Sequence, residues 1–384
     1  MIYRTLPVTL DTYDYLVVGG GLFGSYAALY LARKGLRVIL VEKESQLFTK
    51  ASVVNQARLH GGYHYPRSVA TARMSDDNKA RFTEEHRPFI NFNFEKYYAI
   101  DKFGSLTDAA QFERFCRYLN IRAERVADHP LFDYQRIEAL YRTTEYTFDP
   151  VLVADHYRGR LAAATAVDVY TDTMPDRAEP EGGHWRVLLR QQEKSVSLRV
   201  NAVINATYAG SNGVNDCFGQ RPLDLMHEIS EMAFVTSPQV QNIGLTVMDG
   251  QYGSLMPYGK SGLLSLSSVA YTHHKVSYAN RPDFDCMPYN PACAPAAVAN
   301  CNACPVRPRS HAHKMRRQLA HYFSDAVRFD YFYSLFTVKS KLMANHIDDG
   351  RPTEISRLSV DPPFYCIFAG KINSIYEVER VIAV

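Results

Sequence analysis

Residues 15 to 42 hold the pattern that most restricts the fold. Tyr15-Leu16-Val17-Val18 is a short apolar run, Gly19-Gly20-Gly21-Leu22-Phe23-Gly24 follows, and Ser25 to Lys34 is rich in helix formers that stop at Gly35. Arg37-Val38-Ile39-Leu40-Val41 predicts a second buried strand, closed by Glu42. Strand, tight turn, helix, strand and acid in that order predict a complete βαβ unit and an α/β fold. Gly19 permits the turn, Gly21 lets the backbone approach a pyrophosphate, and Gly24 lets the helix pack on the strand, with Phe23 in the same turn. The helix N-terminus adds amide donors and the positive end of its dipole. Glu42 is placed to accept hydrogen bonds from ribose hydroxyls, with Lys43 beside it, and its charge disfavours the 2′-phosphate of NADP. The unit therefore reads as dinucleotide-binding.

Composition sets outer limits. A chain of 384 residues, 46% apolar, exceeds what one core usually holds, so two lobes are expected. Lys and Arg number 43 against 40 Asp and Glu, a net charge of +3, which lacks the basic excess of a nucleic-acid binder. The longest uncharged run, Tyr15 to Ala32, contains four glycines and follows Asp11 and Asp14, so neither a membrane span nor a targeting segment is expected. Seven Cys do not suggest a disulfide scaffold, and a reducing cytoplasm is the expected compartment. Tyr is abundant, 26 against a single Trp.

No second G-x-G-x-x-G follows, and the choice between FAD and NAD falls to later segments. The stretch Ala51 to Ser68, with Asn55-Gln56-Ala57-Arg58-Leu59-His60-Gly61-Gly62 at its centre, resembles the flavin-facing loop of the D-amino-acid oxidase (DAO) superfamily of FAD enzymes. Leu59 to Gly62 followed by Tyr65 is similar to glycerol-3-phosphate dehydrogenases. Asn55, His60, Gly62, Tyr65, Pro66 and Ser68 also resemble L-2-hydroxyglutarate dehydrogenases. Ala202 to Gly210 and Phe368 to Ile375 fit the same superfamily, in which the first is a strand and turn beside the cofactor and the second the last strand and loop. Amides of that last loop would face the flavin's pyrimidine end and stabilise the charge that reduction develops. Lys371 and Asn373 depart from the glycine-richer loop of relatives.

The resemblance implies a Rossmann-like FAD-binding domain with a second, antiparallel-sheet substrate (cap) domain. The FAD domain would be discontinuous, about 1–75, 145–215 and 355–384, and the cap would comprise 76–144 and 216–354. Pattern predicts a helix over Asp149 to Ala164, a strand over Val167 to Tyr170 and a hairpin joining Trp185 to Leu189 with Ser195 to Val200. Pro175 to Gly183 reads as a polar turn, and Gly244 to Val269 as short antiparallel strands. Arg316 to Tyr333 and Tyr333 to Met343 have helical spacing, a final helix is expected over Tyr376 to Val384, and the Pro-rich 280–308 reads as a long loop.

The implied chemistry is oxidation of a small polar, anionic substrate at a CH–OH or CH–NH carbon, with electrons leaving to oxygen or a carrier. His60 is the candidate base, since imidazole titrates near neutrality. Gly19, Gly21, Phe23, Gly24, Glu42 and Lys43 would hold the adenosine and pyrophosphate. Ser52, Asn55, Gln56, Arg58, Leu59, His60 and Gly61 would line the flavin, and Thr207, Gly210, Gly370, Lys371, Ile372, Asn373 and Ser374 would complete its site. An anion clamp is expected from the group Arg58, His64, Arg67 and Arg73 with Lys260, His273, His274 and Lys275. Tyr63, Tyr65 and Tyr208 are expected at the flavin, and Tyr252 and Tyr258 in the cap. Cys286, Cys293, Cys301 and Cys304 include one metal-like Cys-x-x-Cys, but their irregular gaps suit an ordinary loop; no metal is assigned, and a Zn²⁺ or iron-sulfur site there stays open. Two other readings stay open: an amine or amino-acid oxidase on the same fold, and a non-catalytic dinucleotide-binding protein.

Overall fold

In the computed structural model, which describes residues 5–9, 11–67, 69, 72, 78–343 and 353–382, the N-terminal pattern folds as expected. It forms the strand Tyr13–Val18, the helix Leu22–Arg33 and the strand Val38–Val41. The two strands pair in parallel, Tyr15 opposite Val38 and Val18 opposite Val41. Lys194–Asn205 flanks the first strand and Val167–Tyr170 the second, both parallel. Pro363–Phe368 adds in parallel to the end of Lys194–Asn205, and Glu354–Val360 folds back on it. With Thr173–Glu181 and His184–Gln191 these strands make one eight-stranded sheet. The helix Leu22–Arg33 is buried round most of its circumference, since the sheet covers one side and the helix Pro150–Ala163 with the C-terminal turn covers the other. Asp149 caps that second helix by accepting hydrogen bonds from the amides of Val151 and Leu152, both at 3.0 Å, with Pro150 at the first helical position.

Three segments differ from the sequence reading. Thr173–Glu181 is a strand, not a polar turn, and only Gly182 and Gly183 turn the chain before His184. Its Pro175 and Pro180 lack amide donors, and they are tolerated because this strand lies at the sheet edge, with a register shift after Pro175. Helical spacing also misleads near the C-terminus: a helix covers Ala312–Ala320 alone, and Asp330–Leu342 is a long strand. Twelve residues of the strand Leu225–Thr236 pair with it, and that long-range ladder outweighs local propensity. The last helix is short, Glu377–Val381.

The second sheet has nine strands. Leu225–Thr236 lies between Asp330–Leu342 on one side and His273–Ser277 and Leu264–Ser268 on the other. Gly253–Pro257, Ile243–Met248, Glu95–Asp101, Ile137–Thr143 and Ala123–Val126 continue the sheet. Its pairing is antiparallel except for Ile243–Met248 against Glu95–Asp101. The chain thus combines a Rossmann-like α/β unit with an antiparallel-type cap sheet. A small third sheet of Arg58–Leu59, Tyr146–Phe148 and Ile90–Asn91 sets Arg58 opposite Thr147 and Leu59 opposite Tyr146, which brings Glu145 beside His60. Residues 280–308 carry only two short 3-10 turns, as a loop should. Among the described residues no helix is long and apolar enough to cross a membrane.

Candidate active site

The glycine turn is built for close approach. Gly19 adopts φ of +106°, and a Cβ there would lie 2.7 Å from the Ala206 carbonyl oxygen. A Cβ on Gly24 would overlap the Gly19 carbonyl itself, so helix and strand meet backbone to backbone. Ser52 Oγ accepts from the Leu22 amide at 3.0 Å and ties the following loop to the helix start. Glu42 accepts from the Gly20 amide at 2.7 Å and the Glu44 amide at 2.9 Å, which holds its carboxylate at the end of the second strand.

A cavity of about 460 Å³ runs from Gly21 and Phe23 past the 51–60 loop to the cap sheet, and the C-terminal loop closes one side. It collects Ser52, Asn55, Gln56, Arg58 and His60 from the first loop and Gly370, Lys371 and Ile372 from the last. A similar volume by Asn93, Glu95 and Gln239 is a surface hollow that holds none of the predicted residues. Gln56 bridges the cavity's two walls, its Nε2 donating to Ser267 Oγ at 2.6 Å. The cavity fits a flavin nucleotide on chemical grounds, because a glycine cradle at a helix N-terminus leads into a chamber with buried unpartnered donors. Those donors are Nε and Nη1 of Arg58; His60 Nδ1 is likewise buried without a hydrogen bond among the described residues.

Arg58 and Glu145 form a buried ion pair at 2.8 Å with side chains 1% and 0% exposed. Tyr98 hydroxyl donates to Glu145 at 2.9 Å, the Gly61 amide donates to it at 3.0 Å, and Arg58 Nη2 reaches Tyr98 at 2.6 Å. Burial opposes ionisation of Glu145, but Arg58 outweighs it and holds the carboxyl below its ordinary range. His60 Nδ1 lies 3.9 Å from Glu145. Burial, reinforced by the Arg58 cation, pushes the imidazole well below its usual pKa, so the ring is neutral at pH 7. Lys96 lies under the Tyr98 ring at 4.3 Å and donates to Thr246 Oγ1 at 2.6 Å; burial, then Arg58, pushes it down as well.

Several predicted residues stand outside the cavity wall. Leu59 is wholly buried in the core, and Gly61 serves Glu145. Lys43 turns to the carbonyls of Ala297 and Val298 and to Glu44, and so anchors the cysteine-bearing loop. Thr207 hydrogen-bonds Asn205 and Gly210 closes the 3-10 turn on Thr207, while Ala206 and Tyr208 line the cavity in their place. Asn373 is buried and Ser374 donates to the Lys371 carbonyl. Within the expected clamp, Arg58, His64, Arg67 and His273 reach the cavity. Lys260 instead bonds Pro88, His274 is buried on Glu231, and Lys275 pairs with Asp285. Arg73 and Ser68 lie outside the described residues. Tyr65, Tyr208 and Tyr252 line the cavity, whereas Tyr63 donates to the Arg122 carbonyl and Tyr258 to that of Val53. Cys286, Cys293 and Cys301 pack on an apolar cluster around Phe284 and Phe336, and no metal-ligand grouping occurs among the described residues.

The cap wall was largely invisible beforehand. Ser254, Ser267, Ser268, Thr272, Lys339 and Lys341 all face the cavity. Lys341 pairs with Glu228 at 3.0 Å, and His273 lies 3.2 Å from the same carboxylate. The signal lay in the spacing, since Lys339 and Lys341 share one face of a strand but not of a helix.

Comparison with known proteins gives the family and the fold. The family model described as FAD dependent oxidoreductase (DAO) matches residues 14–344. The FAD-dependent monooxygenase FPY4 of Fusarium mangiferae is 23% identical over 366 residues, 94% of this chain and 87% of that protein. The FAD-dependent monooxygenase kojA of Aspergillus flavus is 36% identical over 251 residues, 63% of this chain and 57% of that protein. The FAD-bound L-α-glycerophosphate oxidase of Mycoplasma pneumoniae has the same fold, with TM-score 0.68 at 16% identity over 97% of this chain and 94% of that one. So does glycine oxidase from Geobacillus kaustophilus, with TM-score 0.67 at 14% identity over 96% and 92%. The chain belongs to the FAD dependent oxidoreductase (DAO) family and is an enzyme of that kind, with FAD as its cofactor.

Proposed function

We propose that the enzyme oxidises a small polar, anionic substrate at a CH–OH or CH–NH carbon, with His60 accepting the proton. Bound FAD supplies the hydride acceptor. The observation that carries the reading is a neutral imidazole facing a cavity whose wall has Arg58, Arg67, Lys339, Lys341 and Lys371, of which Arg58, Arg67 and Lys341 pair with Glu145, Asp249 and Glu228. Cations on the cap side suit a carboxylate or phosphate on the substrate, and they orient its reacting carbon toward the His60 loop. A neutral His60 has a lone pair available at pH 7, which an imidazolium lacks. The substrate meets the electron acceptor, oxygen or a carrier, in the same chamber, and the relatives named monooxygenases favour oxygen.

Amino-acid oxidation is the second reading, favoured by the fold of glycine oxidase. A neutral amine needs no strong base, so the two readings differ in their dependence on His60. Strands of the eight-stranded sheet come from 13–41, 167–205 and 354–368, which supports a discontinuous FAD domain of 1–75, 145–215 and 355–384 around a cap of 76–144 and 216–354. Free thiols at all seven cysteines suit a reducing cytoplasm.

The test is anaerobic mixing of holoenzyme with 2-hydroxy acids, amino acids and glycerol phosphate while flavin bleaching is followed. An anionic substrate should bleach it, and His60→Ala should slow a hydroxy substrate by about 10²-fold or more. Bleaching by neutral alcohols or amines alone, or equal rates for His60→Ala, would overturn the reading.

A further inference from the structure

Arg58 is held by only one of its three guanidinium nitrogens. Nη2 takes both Tyr98 and Glu145, while Nε and Nη1 are buried and make no hydrogen bond among the described residues. Leaving two charged donors unsatisfied in a side chain 1% exposed is costly unless a ligand meets them. Arg58 also lines the flavin cavity, and its strand belongs to the loop that Ser52 fastens to the pyrophosphate turn. We infer that Arg58 presents Nε and Nη1 to the bound flavin and sets its reduction potential, with Glu145 as the positioning residue that holds and partly offsets the cation.

The physical reason is electrostatic. Reduction adds negative charge to the flavin, and a fixed cation in a dry site stabilises it more than water does. Glu145 serves two ends, since it fixes the Arg58 fork through Nη2 and lies 3.9 Å from His60 Nδ1. Tyr98 and the Gly61 amide hold Glu145 in turn, so the cluster has one orientation. The inference concerns the cofactor alone and stands whichever substrate is turned over.

Holoenzyme without substrate is titrated with sulfite, whose lone pair adds to oxidised flavin and leaves an anionic adduct, and its potential is measured against reference dyes. Because Arg58→Met alone strands a buried carboxylate, the principal variant is the double Arg58→Met, Glu145→Gln, which removes both charges together. Its sulfite Kd should rise at least about tenfold and its potential fall below wild type. Glu145→Gln alone should do the opposite, with tighter sulfite binding and a higher potential. FAD content and near-UV circular dichroism confirm that each variant folds, and Arg58→Leu with Glu145→Gln, for which the same outcomes hold, replaces the double variant if it does not. Wild-type sulfite affinity and potential in the double variant would overturn the inference. So would unchanged potential with a raised substrate KM, which would make Arg58 a substrate anchor.

Discussion

The turn Gly19–Gly24 and the cap wall around Lys339 and Lys341 border one cavity and are built by opposite means. The turn is local: six consecutive residues, a helix start and the contact of Gly24 with Gly19 create it, and backbone atoms do the work. The cap wall is assembled from the strands Gly253–Pro257, Leu264–Ser268 and Asp330–Leu342, and it acts through side chains. Binding of a common cofactor needs geometry that glycine supplies, whereas choice of substrate needs charges that can change without disturbing the fold.

That contrast breaks most decisively at Gly24. A Gly24→Val protein should purify without its yellow chromophore, since the added carbons collide with the Gly19 carbonyl; an absorbance spectrum at the FAD band decides it. Full FAD content in that variant would mean the turn is not the cofactor cradle. On the other side, Lys339→Met with Lys341→Met should keep FAD and raise the KM for an anionic substrate about 10- to 100-fold with little change in kcat, read by steady-state kinetics. Flavin loss from the cap variant would erase the division of labour.

A finer prediction concerns pH. His60 must be neutral to accept a proton, and burial with Arg58 lowers its pKa, so protonation and loss of activity should come only below the ordinary imidazole value of about 6.5. The kcat/KM profile of the holoenzyme should therefore stay flat to the acid side of that value. In Arg58→Met, Glu145→Gln the acid limb should move little, because removal of the cation raises the His60 pKa and removal of the carboxylate lowers it. The smallest effect is expected at Tyr252, which lines the cavity but bonds Asp101 at 3.0 Å; Tyr252→Phe should change KM by less than about tenfold.

Legibility followed the same boundary. The βαβ unit and the helix after Asp149 were readable because their signals are short-range: glycines at fixed spacing and apolar runs of one period. His60 and Arg58 were readable as loop residues, but not the reason His60 stays neutral, because its burial and the Arg58 cation that Glu145 holds beside it depend on a three-stranded pairing across the chain. Asp330–Leu342 was misread as helical since its apolar residues admit both periods, and only the ladder with Leu225–Thr236 chooses between them. Pro175 and Pro180 argued for a turn until the edge position of their strand made their missing donors harmless.

By itself the sequence determined a close-packed glycine turn at a helix N-terminus, because that feature is made of backbone whose conformation adjacent residues dictate. Tertiary structure alone decided which charges face the cavity, why Arg58 is left with two unpartnered donors among the described residues, and that Lys339 and Lys341 look into the same space. Side chains acquire those roles from neighbours far away in the chain, and no local pattern encodes which neighbours they will be.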